Sequence, residues 1–458
     1  MIDVKRIQGI LVALAFVPVA ACSSIPSPGG ALDFLPGVGD DGAPEETAPQ
    51  DGRISILDFE QGLRIDADGE RAPVTLPTAY TNPVWPQQGA YPTHALQHTR
   101  ADGELNVLWR QTFGEGSSND RRLNAAPVMA DGRLFMIDAR GEVSSIDAES
   151  GARQWSTRLE GPSERDRLAF GGGLAFDSGR IYVHAGYNYF VALDAANGRE
   201  IWRTSTLVPF HGAPTIADGR VFVASDDNEM LALDAEDGTV LWTYQGIVET
   251  ARLITSPSPA VMGDVVVAPF ASGELVALRV QNGNPIWSDS LTRSNNMTAL
   301  SEINDVAGSP VIVDNTVYAM SHSGALVAIS LRSGERQWNQ PAGGLHTPSV
   351  AGDFLFIVTN EAQVVCLNRH TGEVNWIRQL ALFEDVRERR NRIAWAGPIL
   401  ASGRVFLASS HGEGVLLNAY DGSIVREYEL RDDVYVAPIV ANETIYIVTD
   451  EARVIALR

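Results

Sequence analysis

A ten-residue stretch, copied along the chain, restricts the fold more than any other feature. It reads LDAANGREIW at Leu193–Trp202, IDAESGARQW at Ile146–Trp155 and LDAEDGTVLW at Leu233–Trp242. Looser copies end at Trp287, Trp338 and Trp376, and a further copy keeps Gly422 but carries Arg426 where the tryptophan belongs. In each complete copy a glycine (Gly151, Gly198, Gly238, Gly283, Gly334, Gly372) stands four residues before the tryptophan. Glycine there suits a tight turn between two strands. A large ring returning at one fixed place on the next strand can pack against a neighbouring unit. Together with Trp109, the marks are 38 residues apart at their closest (Trp338 to Trp376) and 51 at their widest (Trp287 to Trp338). Repeats of roughly 40–50 residues made of short strands and turns are what propeller blades require.

A second piece recurs upstream of each mark. It is a small residue or proline, an apolar strand, a turn and another strand, as in APVMADGRLFMIDARGEVSSID from Ala126 and APTIADGRVFVASDDNEMLALD from Ala213. Eight such units can be counted. The last, APIVANETIYIVTDEARVIALR, stops at Arg458 before its glycine turn and fourth strand, whereas Trp109 in NVLWR is a fourth strand with no three strands before it. Pairing the two completes an eighth blade and leaves no open seam. The expectation is an all-β fold: an eight-bladed β-propeller of four-stranded blades, with the ring closed by the N-terminal strand joining the C-terminal blade.

The start of the chain has a different character. Lys5 and Arg6 precede an apolar stretch, Ile7 to Ala21, that ends in Val19-Ala20-Ala21-Cys22. Fifteen residues are short for a bilayer span, which takes about 20, but suit a secretory signal. The final tetrapeptide resembles a bacterial lipobox, in which cleavage follows diacylation of the cysteine. Residues 1–21 are therefore expected to be a lipoprotein signal peptide and Cys22 the lipidated residue, making an anchored protein rather than a spanning one. No aspartate follows Cys22, which points to the outer membrane. Residues 22–80, rich in proline, glycine and acid, are expected to form a disordered tether. Within it Arg53–Asp66 alternates apolar and polar residues and reads equally as a docking segment or a spacer. Residues 81–458 are expected to be the propeller, with packing from about Asn82–His98, where the composition turns aromatic.

Charge and residue chemistry exclude several classes. With 35 basic and 57 acidic residues the formal charge is −22, and Lys5 is the only lysine. That balance opposes binding to nucleic acid or direct adsorption to anionic lipid. The second cysteine, Cys366 in QVVCLN, reads as a buried thiol, so no disulfide framework or cysteine metal site is expected. No H-x-x-x-H pair, nucleophile elbow or phosphate loop occurs. Asp147, Asp194 and Asp234 stand before the glycine turns and read as caps of those turns. His184, His322 and His411 follow second strands and read as solvated turn residues. No catalytic, cofactor or metal residues are expected.

The repeats resemble the pyrroloquinoline-quinone (PQQ) repeat superfamily, and WPQQG at Trp85–Gly89 is similar to the segment that introduces its propellers. The quinoprotein dehydrogenases of that superfamily carry a vicinal cysteine pair, which is absent here. Lipobox, length, repeat count and terminal closure together resemble the BamB family of outer-membrane protein assembly factors. That resemblance implies a non-enzymatic lipoprotein scaffold at the periplasmic face of the outer membrane. It also implies binding to the POTRA region of the BamA insertase within the BAM complex, with nascent outer-membrane proteins as further partners. Leu253 and Asp305 match the family's contact leucine and aspartate, whereas Ile254 stands at an arginine position and Ala307 at a second aspartate position. A quinoprotein-like PQQ-binding enzyme and a generic periplasmic ligand-binding propeller are the alternatives the residues leave open.

Overall fold

The computed structural model describes residues 62–65, 72–161, 172–210, 212–249, 253, 255, 257–292 and 305–458. All belong to one compact unit, Ile56–Arg458. The signal peptide and Cys22 lie outside the described residues. Among those described there is no helix long and apolar enough to cross a membrane.

The expected architecture is present. Eight four-stranded antiparallel sheets follow one another, seven of them built from four consecutive strands. Blade 3 shows the plan: Thr215–Ala217, Arg220–Ala224, Glu229–Asp234 and Val240–Gln245, each paired with the next. The first strands are short and pack against first strands of adjacent blades, which puts them at the centre of the ring. The second strands are runs such as RVFVA and FLFIV, buried almost throughout because both faces meet a neighbouring blade. The fourth strands are outermost and mostly exposed. The eighth blade joins Ile439–Ala441, Thr444–Val448 and Arg453–Leu457 from the C-terminus to Val107–Thr112 from the N-terminus. Arg110 pairs with Ile455 across that seam.

Neighbouring blades interlock through the repeated motif. The Trp155 indole donates to the Ala195 carbonyl of the next blade at 3.0 Å, and Trp242 and Trp376 repeat the bond to Val280 and Ala419 at 2.9 and 3.0 Å. The turn aspartates are caps, as their position implied: Asp147, Asp194 and Asp234 accept from the backbone N–H of Ser150, Ala196 and Glu236. These bonds to Ser150 hold the Asp147 carboxyl below its ordinary pKa. Cys366 is fully buried, and burial pushes its thiol pKa up.

The segment before the first blade strand does more than begin packing. Asn82–Thr99 circles the ring and reaches every blade in order. Asn82 accepts from Asn442 of blade 8, and Trp85 exchanges two backbone bonds with Met129 of blade 1. Pro86 then accepts from Phe176, and the Gln87 side chain from Ile216. Pro92 and Thr93 accept from Val261 and Ile312, the Gln97 side chain from Gly352, and Thr99 from Ser402 of blade 7. The donors lie on, or just after, the short first strands, whose inner edge has no other strand to pair with. The segment is a clasp across one mouth of the central channel.

The boundary expected at residue 80 falls too late. Leu63 is buried among residues of blades 5 and 6, and Val74 and Leu76 pack against blades 6 and 7. The Ala72 carbonyl accepts from the Asn375 side chain at 2.8 Å. These scattered apolar residues cover gaps between blades that the blades themselves leave open.

Candidate partner-binding face

Strand direction sorts the loops. Connections from the outer strand of one blade to the inner strand of the next share a face with the turns between second and third strands. The clasp lies at the opposite face, beside the turns that follow the first strands. Leu253 and Asp305 belong to two successive loops of the first face, between blades 3 and 4 and between blades 4 and 5.

Although 52 positions apart, the two residues meet. The Leu253 backbone N–H donates to the Asp305 carboxylate at 3.0 Å. Asp305 is 1% exposed, whereas Leu253 is half-buried. The Asp305 backbone is itself held, its carbonyl accepting from His322 N–H of blade 5 at 2.9 Å. The adjoining rim is tied in the same way: Ser258 N–H donates to Ser309 Oγ at 2.8 Å and Ser309 N–H to Thr347 Oγ1 at 3.1 Å. Asp305 thus fixes a loop that presents Leu253, and its own oxygens face inward.

Sequence reasoning missed other residues of this rim. Leu207 is 99% exposed, and Ile247 and Val248 are 58% and 59% exposed. The signal was available in Ile247-Val248, two apolar residues standing just beyond the end of a strand. Single exposed apolar side chains are ordinary; these three stand on two successive loops of the face that carries Leu253.

The histidines divide differently from the expectation. His184 is not a solvated turn residue: it is fully buried between Phe190 and Phe210, with Nε2 2.8 Å from the Gly212 carbonyl. Burial lowers its pKa to about 4. The stretch HAGYNYF, a strand end, a turn and the start of the next strand, supplies Phe190, and Phe210 encloses the ring from the other side. His411 is exposed and lies 2.6 Å from Glu384 of an added hairpin, Phe383–Asp385 with Arg390–Arg392. Among the described residues no three or more His, Cys, Asp or Glu gather as a metal site would require.

A cavity of about 240 Å3 occupies the channel above the clasp. Its described lining includes no arginine, lysine, aspartate or glutamate. Such walls do not fit a carboxylated cofactor such as PQQ, which needs cationic partners.

The family model described as outer membrane protein assembly factor BamB matches residues 97–167, 139–378 and 387–458. The chain belongs to the BamB family. Among curated BamB proteins it is 29% identical to that of Salmonella typhimurium over 77% of this chain and 88% of the relative. It is 30% identical to that of Shigella dysenteriae over 71% and 81%, respectively. The solved BamB structure from Moraxella catarrhalis covers 77% of this chain and 99% of its own, with a TM-score of 0.63 at 18% identity. The quinohemoprotein alcohol dehydrogenase of Comamonas testosteroni shares the propeller at a TM-score of 0.65, 15% identity, 83% of this chain and 81% of its own. Likenesses at these identities speak to fold alone, and BamB membership rests on the sequence match.

Proposed function

We propose that this protein is a non-enzymatic scaffold for outer-membrane protein assembly, anchored by lipid at Cys22 to the periplasmic face of the outer membrane. The observation that carries the reading is the BamB family match along nearly the whole propeller. The partner is the POTRA region of a BamA-type insertase in the BAM complex, with nascent barrel proteins as clients. A rigid ring with loops on its faces can hold a flexible partner in register without chemistry. Leu253 supplies apolar contact together with Leu207, Ile247 and Val248, while Asp305 positions the loop from beneath. In this reading Ile254, standing at the family's arginine position, shifts the contact from charge pairing towards apolar burial.

The test is gentle detergent extraction of the tagged chain followed by mass spectrometry of what co-purifies. The insertase is expected with the unaltered chain, at least tenfold depleted with Leu253→Asp, which places an unpaired carboxylate in a desolvated contact. Cys22→Ser is expected to leave the signal uncleaved and the chain without lipid. A partner-free preparation, with the insertase complex otherwise intact, refutes the scaffold role.

A further inference from the structure

The central cavity holds more unpaired hydrogen-bonding groups than packing explains. Five side chains on its wall leave polar atoms buried and without a partner among the described residues: Trp85 Nε1, Gln88 Oε1, His94 Nε2, Asn124 Oδ1 and Nδ2, and Thr255 Oγ1. Buried polar atoms are nearly always hydrogen-bonded, so a cluster around one space calls for an occupant. Trp85 and His94 are 5% and 3% exposed, and both belong to the clasp that floors the cavity. The Asn124 and Thr255 loops belong to the opposite face, where the cavity opens.

The lining specifies the chemistry. His94 Nδ1 lies 2.7 Å from the Pro310 carbonyl and therefore carries the proton, leaving Nε2 as an acceptor. Trp85, the Asn124 amide and Thr255 offer donors; Gln88, His94 and the Asn124 carbonyl offer acceptors. Between them stand apolar walls such as Leu96, Leu345, Val436 and Ile439. With no charged side chain among the described lining, a charged guest would be desolvated without compensation. The space far exceeds the roughly 10–15 Å3 that admits one water, and walls that mix apolar surface with a few convergent polar groups are those of small-molecule sites.

The geometry points to the channel as a binding site for an uncharged, hydroxyl- and amide-bearing small molecule of about monosaccharide size. Hydroxyl and amide groups both donate and accept, as the wall requires, and the apolar face of a sugar ring suits the apolar walls between them. This site does not depend on the assembly role or on Leu253.

The full chain is titrated with N-acetylglucosamine, glucose and glucuronate by ligand-observed NMR and calorimetry. The two neutral sugars are expected to saturate, and glucuronate to bind at least tenfold more weakly. Asn124→Leu, which removes two of the unpaired atoms, is expected to weaken the neutral sugars at least tenfold with thermal unfolding otherwise retained. Should that variant fail to fold, Thr255→Val carries the same test with a smaller loss. No saturation by either neutral sugar up to about 10 mM, a weak limit by any measure of affinity, overturns the site and leaves a cavity filled by water. Equal binding of glucuronate, or undiminished binding by both variants, overturns it as well.

Discussion

Gly238 shows what the spacing of four between glycine and tryptophan achieves. Its φ is +76°, and an added Cβ would lie 2.5 Å from Cε3 of Trp202 and 2.6 Å from Oγ1 of Thr204 in the preceding blade. The glycine is a flat floor on which the neighbour's indole rests, and Thr204 donates to its carbonyl at 2.6 Å. Gly219 of the same blade has a similar φ, +70°, but an added Cβ there meets nothing within 4 Å. The two positions separate backbone strain from interlocking. Gly219→Ala is expected to cost only the left-handed backbone, about 1 kcal/mol. Gly238→Ala adds displacement of a packed indole and is expected to cost about 3 kcal/mol or more in all. Denaturant unfolding of both variants measures the difference, and equal losses would show that the indole does not rest on the glycine. Arg426 is the exception that the repeat pattern left unexplained. The blade beyond it has no glycine turn, because the chain ends occupy that place. Its guanidinium instead donates to the Glu104 carbonyl at 2.7 Å and lies over Tyr428.

Elements were legible in the sequence wherever one blade repeats another, and obscure wherever something occurs once. Strands and turns each carry seven or eight examples of one pattern, so period alone reveals them, and the closure follows from the two incomplete copies. The clasp has a single copy and no internal period; its order comes from eight successive first strands that each lack a partner. WPQQG could be noticed, but not that Gln87 would cap Ile216 or that His94 would be enclosed. Leu253 and Asp305 were found through family likeness, and the bond between them needed the fold. Outer strands share another feature that the sequence concealed: in all eight blades the pairing of third and fourth strands shifts register beside the tryptophan, or Arg426, position. Such bulges twist an exposed edge and discourage unwanted pairing. The clasp also has a pH signature. Burial lowers the His94 pKa to about 4 against 6.5 for the free side chain, despite its hydrogen bond to Pro310. The unfolded chain therefore takes up a proton that the folded clasp refuses. This contribution is complete above pH 6.5 and declines as pH falls towards 4, by about 2 kcal/mol at pH 5. His184, lowered to about 4 by burial as well, acts in the same direction. Stability measured from pH 7.5 to pH 5 should fall, and His94→Gln should fall less steeply; identical slopes would place the titration elsewhere.

Across the whole ring, seven interfaces can be compared by one bond, and the interface beside the closing blade is the odd one. Trp109 of blade 8 rests on Gly151 of blade 1, as its counterparts do, and packs beside Tyr446 at 6.1 Å between ring centroids. Yet its indole N–H is buried without a partner among the described residues, while the corresponding carbonyl, Ala148, accepts from the Tyr446 hydroxyl at 3.2 Å. Trp242, by contrast, donates to Val280 at 2.9 Å. Replacing tryptophan by phenylalanine removes similar apolar area in the two cases but different polar terms. Trp242→Phe deletes a made bond and leaves a buried carbonyl short of a donor, whereas Trp109→Phe deletes an unmade one. Trp109→Phe should therefore be milder than Trp242→Phe by roughly 1–3 kcal/mol, the range for leaving a buried group unsatisfied. Guanidinium midpoints at an unchanged slope would report the gap. Equal losses would mean that the Trp109 indole finds a partner in solution, and that the closing blade is bonded to blade 1 as the six other tryptophan interfaces are.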